Sequence, residues 1–188
     1  MNVLFVTSGN ANMYKTTGHD LVNRVSQKYP ILVCTEGYDV LPMMLSNVRT
    51  YDLQQAEWLR KWLDTYSHII PTEFGGSCVE NLPYFNKPAS IWMRKVASIR
   101  HARLYYEFDV LIWIDMDSKI LNLDLDELIR KSIHGVSCFY IDGTVRRVVD
   151  MGIETGIIGF DNKDGLNVLD DWFSLYETGE FQTLKRWD

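Results

Sequence analysis

The chain has 188 residues, 46% of them apolar, which is enough for a sizeable core in one domain spanning 1–188. Its formal net charge of −6 offers no basic footprint to duplex nucleic acid or to an anionic membrane surface, so nucleic acid is excluded as a partner. An acidic protein that handles an anionic substrate must gather cations locally, as a metal ion or as a few placed Lys and Arg side chains.

Taken in chain order, the apolar run Val3 to Thr7 predicts a buried strand, followed by a polar loop from Ser8 to Thr17. A helix from His19 to about Lys28 should turn Leu21, Val22 and Val25 inward, and Ile31 to Cys34 reads as a second short strand. Between Gln54 and Tyr66, residues Trp58, Leu59, Trp62, Leu63 and Tyr66 fall at the spacing of one helical face. The stretch from His68 to Ala89, with adjacent glycines and three prolines, predicts a long irregular loop that is mobile or faces a ligand. A helix from Ile91 to Tyr106 then carries Arg94 and Lys95 in its first turn and feeds the continuously apolar strand Val110 to Ile114, as expected of a strand covered on both faces. Leu125 to Ser132 should be helical, Val136 to Ile141 and Thr155 to Phe160 strands, and Leu166 to Glu177 a last amphipathic helix. Strands alternating with helices predict an α/β fold with a mostly parallel sheet and helices on both faces.

The cysteines, Cys34, Cys78 and Cys138, are odd in number and far apart, and they read as reduced thiols. The sequence opens directly on a strand-like run with no basic leader or cleavage site, and no window reaches the length of a membrane span; the expected location is the cytoplasm.

The most informative run is Phe108 to Leu121, FDVLIWIDMDSKIL. It sets Asp115 and Asp117 at the carboxyl end of a buried strand, where ligands bind in open α/β sheets. Met116 between them can turn back into the core while both carboxylates reach one pocket. Two hard oxygen donors suit Mg²⁺ or Mn²⁺, with water and substrate phosphate filling the remaining positions. An Asp there can also simply begin a turn, but an unpaired charge at the end of five apolar residues is costly.

With these residues the chain resembles the DxD-containing glycosyltransferases of GT-A fold, particularly small bacterial and viral members. The resemblance implies a metal-dependent hexosyltransferase that takes a nucleotide-sugar donor, expected to be UDP-linked, and transfers to a hydroxyl of a glycan, lipid-linked or other acceptor. It implies Asp117 as principal metal ligand and Asp115 as the contact to donor ribose or sugar and, through water, to Mn²⁺ or Mg²⁺. Lys95, with Arg94 beside it, looks like the family's lysine near the donor phosphate or sugar. Thr7, Ser8 and Asn10 resemble the turn that holds base and ribose, and Glu36 is a weaker candidate there. The run Gly152 to Phe160, GIETGIIGF, resembles the second active-site segment, with Glu154 as general base or donor-orienting carboxylate and Gly156 allowing close backbone approach to the sugar. The family often completes its metal site with a C-terminal histidine. Here Trp187 is followed by Asp188, so that place falls to Asp188, to water, or to a tail beyond it.

Two other classes share the pattern. Haloacid-dehalogenase-like Mg²⁺-dependent phosphatases also carry D-x-D after a buried strand, with the first Asp as nucleophile, but they place it near the N-terminus and follow it with Thr or Val where this chain has Lys119. A non-catalytic module of the same fold would bind nucleotide-sugar or glycan without turnover.

Overall fold

A computed structural model describes residues 1–39, 46–69, 89–118, 124–138 and 156–183. Its centre is a six-stranded sheet in the order β3-β2-β1-β4-β6-β5, with β1 at Val3–Ser8, β2 at Ile31–Thr35, β3 at Val48–Asp52, β4 at Val110–Ile114, β5 at Val136–Cys138 and β6 at Ile157–Asp161. Strands β3, β2, β1 and β4 are parallel, and β6 runs against both β4 and β5. The α/β expectation and the mostly parallel sheet are therefore met.

Alternation along the strands divides the core in two. Leu4, Val6, Leu111 and Trp113 point to one face, where α3 (Glu57–Tyr66), α4 (Ala89–Tyr105) and α6 (Asp164–Thr178) cover them. Val3, Phe5, Ile112 and Ile114 point to the other, under α2 (His19–Ser26) and α5 (Leu125–Lys131). Every residue of β4 is buried, which explains why its sequence is apolar without a break. Trp62 anchors α3 to α6 by donating its indole N–H to the Tyr176 carbonyl at 2.8 Å.

Three expectations need correction. The segment after β1 is not a loop up to Thr17: α1 (Ala11–Met13) begins at once, with the Asn10 side chain accepting from the Met13 N–H at 3.0 Å, and runs through a π-helical turn, Tyr14–Gly18, into α2. Apolar periodicity could not disclose it, because its only buried residues are Tyr14 and Gly18. Strand β3 went unpredicted: as an edge strand it buries no residue fully and shows no clean alternation. The lysine-bearing helix starts at Ala89, so Arg94 and Lys95 stand in its second turn. Of the predicted loop His68 to Ala89, residues 70–88 lie outside the described residues, as do residues 139–141 of the predicted strand Val136 to Ile141.

Candidate functional site

The site is set by topology. From β1 the chain moves outward to β2 and β3, then crosses back to β4 on the other side of β1, so the order reverses between β1 and β4. The carboxyl ends of strands at such a reversal are where open α/β sheets bind ligands. Ser8 and Asn10 leave β1 on one side, and Asp115 and Asp117 leave β4 on the other.

The turn holding the two carboxylates is held at Asp115, Met116 and Ser118. The Asp115 N–H donates to the Gly156 carbonyl at 2.7 Å, and the Ser118 N–H closes a tight turn onto the Asp115 carbonyl at 2.9 Å. Strand alternation continues two steps past β4, so Met116 faces the α2/α5 side, fully buried. There it packs closely against two glycines: a Cβ at Gly9 would lie 2.6 Å from the Met116 sulfur, and one at Gly18 would lie 2.6 Å from its Cγ. The Thr17 hydroxyl donates to the Met116 carbonyl at 3.0 Å, and Tyr38 Oη reaches its sulfur at 3.9 Å. The π-helical turn thus shapes the seat of the motif, a placement π-turns often have.

Asp115 points the other way, toward α4. Its Oδ1 accepts from the Trp113 indole N–H at 2.6 Å and pairs with Lys95 Nζ at 3.2 Å. Lys95 is buried, and its ammonium also lies 5.6 Å from the centre of the Trp113 ring. Burial pushes the Asp115 carboxyl above its ordinary value. The Lys95 charge and the Trp113 and Lys95 hydrogen bonds pull it down, and the negative charge of Asp117 adds a smaller upward push. Even so, 32% of the Asp115 side chain stays open, and Asp117 is exposed. The carboxylate is therefore paired within the protein, with burial still the larger influence on it.

The other candidates are distributed as follows. Thr7 stands inside β1 rather than in the turn after it, opposite Val33 and fully buried, and its hydroxyl lacks a hydrogen-bond partner among the described residues. Asn10 is spent on capping α1, and Ser8 is half-buried at the end of β1. Arg94 Nε meets Glu36 Oε2 at 2.7 Å, so Glu36 is paired rather than free in solvent. Gly156 is buried and touches the motif through its carbonyl. Glu154, Lys119, Trp187 and Asp188 lie outside the described residues. Sequence reasoning missed Trp113 and Thr17. For Trp113 a signal existed: two residues before Asp115 in a strand, it must share that residue's face.

Along the same edge of the sheet, past β2 and β3, opens a cavity of about 380 Å³. Thr35, Tyr38, Asp39, Tyr51, Asp52 and Gln55 line most of it. Asp52 is occupied as an acceptor from the Gly37 and Gln54 N–H groups, each at 3.0 Å. Among the described residues no group of three or more His, Cys, Asp or Glu gathers into a cation cage. What the motif offers a cation is two carboxylates, a set that suits a hard ion completing its shell with water and phosphate. Among the described residues no helix is long and apolar enough to cross a membrane.

No protein-family model matches the chain, and no curated protein matches it either. Among solved structures, it is similar to a glycosyltransferase involved in the glycosylation of the major capsid of PBCV-1. The identity is 12% and the TM-score 0.39, over 94% of this chain and 67% of that one.

Proposed function

We propose that this chain is a metal-dependent glycosyltransferase of GT-A type, moving a hexose from a nucleoside-diphosphate donor, UDP-linked by preference, to a hydroxyl of a glycan, lipid-linked or other acceptor. The observation that carries the reading is the position of Asp115 and Asp117 at the carboxyl end of β4, beside β1, where the strand order reverses. The cavity past β2 and β3 supports it. Neighbouring strands lie about 4.8 Å apart, so two steps from β4 to β2 span about 10 Å, the reach from a diphosphate to its own nucleoside.

In this reading Asp117, exposed and free to turn, holds Mn²⁺ or Mg²⁺ together with the donor diphosphate. Such an ion would neutralise charge on the leaving diphosphate. Asp115, paired with Lys95, accepts from a donor hydroxyl or from water in the ion's shell. Tyr38 and Tyr51 offer ring surfaces on which a base can rest. Glu154, carried by the resemblance, is assigned the acceptor proton in an inverting reaction or the orientation of the donor sugar in a retaining one.

The test is release of UDP from UDP-hexoses with Mn²⁺, in the intact chain and in Asp117→Ala. Metal-dependent release that disappears in the variant supports the assignment. Release that survives in Asp117→Ala, or release of inorganic phosphate from phosphomonoesters in place of it, sinks it.

A further inference from the structure

We propose that Trp113 is a positioning residue for Asp115: its indole N–H and the Lys95 ammonium together grip Oδ1 and leave Oδ2 available to a ligand. The inference rests on the reading of the motif as a ligand site. The rest of β4 is aliphatic, Val110, Leu111, Ile112 and Ile114, and packing alone would accept another apolar side chain at position 113. An indole instead brings a buried N–H that must find an acceptor. It finds the Asp115 carboxylate at 2.6 Å, and Trp113 itself is only 2% exposed.

Two donors on one oxygen do what one cannot. Trp113 reaches Oδ1 from within the strand and Lys95 reaches it from α4, both from buried, packed positions, so the carboxylate cannot rotate without breaking both contacts. The described residues offer Oδ2 no donor. On the far side, the Met116 socket fixes the backbone of the same turn. Asp115 thus meets its ligand through one preset atom, while Asp117 remains adjustable. Preorganisation of this kind removes the ordering cost of binding.

The test uses the full chain with ¹⁵N-labelled tryptophan, whose six residues give separate indole N–H signals. Trp113→Phe identifies the Trp113 signal by its loss. Asp115→Asn should then move that signal upfield, because a charge-assisted hydrogen bond becomes a neutral one. In parallel, Mn²⁺ with UDP is titrated into wild type and Trp113→Phe. Loss of a residue that orients a ligand group weakens binding about tenfold or more, and the variant should lose that much while its remaining indole signals keep their native positions. An unmoved Trp113 signal in Asp115→Asn overturns the proposal, and so does equal Mn²⁺–UDP affinity in a folded Trp113→Phe. Absence of affinity in the wild type overturns the glycosyltransferase reading itself and the positioning role with it. That result differs visibly from a wild type that binds and a variant that binds as well.

Discussion

Lys95 Nζ stands 3.2 Å from Asp115 Oδ1, joining the second turn of α4 to the end of β4 across the α4 face of the sheet. Of the candidates, these two are the pair most firmly placed. Lys95 is buried, and Asp115 is a charged partner within its reach. Lys95→Met therefore strands a carboxylate that burial already pushes toward its neutral form. Breaking a fully buried pair costs roughly 3–5 kcal/mol. With 32% of Asp115 open to solvent, about 2 kcal/mol is the expected loss. Urea unfolding at neutral pH measures it, and adding Asp115→Asn to Lys95→Met should restore much of the loss. Additive losses in the double variant would contradict the pairing.

The seat of Met116 makes a separate prediction. Gly18→Ala puts a methyl group 2.6 Å from the Met116 Cγ and 2.8 Å from its sulfur, too close for the side chain to stay as it is, so it or the turn must shift. Overpacking of this kind costs about 1–3 kcal/mol. Shortening the obstructing side chain with Met116→Val in the same molecule should recover part of the stability. A Gly18→Ala variant as stable as wild type, by thermal melting, would mean that the socket is not tight.

Acid should weaken the fold through Asp161. Burial alone would raise its carboxyl, but N–H donors of Gly135, Gly165 and Lys163, at 2.8, 2.7 and 3.2 Å, outweigh that and hold it below its ordinary value. A folded value below the unfolded one gives stability that is fully present above the unfolded carboxylate pKa of about 4. That stability is lost as pH falls through the lower folded value. Asp161→Asn should destabilise the protein by about 2 kcal/mol at pH 7 and flatten the fall in urea midpoint between pH 5 and pH 3. An acid slope unchanged by the substitution would contradict this.

How much of this was legible in the sequence depended on burial. Strand β4 announced itself as an unbroken apolar run, and the helices around Trp62 and Leu169 by apolar residues at one helical spacing. Strand β3 did not, since an edge strand need not alternate. Nor did the π-helical turn, whose order comes from the Asn10 cap and the Thr16 and Thr17 hydroxyls bonding back to backbone carbonyls. Asp115 and Asp117 were visible as a motif. That Asp115 is held by Trp113 and Lys95 could be half-read from strand alternation, but the meeting of α4 with that face is a tertiary fact.

The central claim is that the two carboxylates form a metal-dependent nucleotide site, and a thermal-shift titration with UDP tests it most directly. Melting temperatures are taken with Mn²⁺, with Mg²⁺ and with EDTA, for wild type and for Asp117→Ala. Ligand that binds only the folded state raises the melting temperature, by the equivalent of about 2.7 kcal/mol at a hundredfold excess over Kd. The account predicts a rise with UDP and Mn²⁺ that EDTA abolishes and Asp117→Ala lacks. A rise of equal size with EDTA or in Asp117→Ala, or no rise with any nucleoside diphosphate, would contradict it.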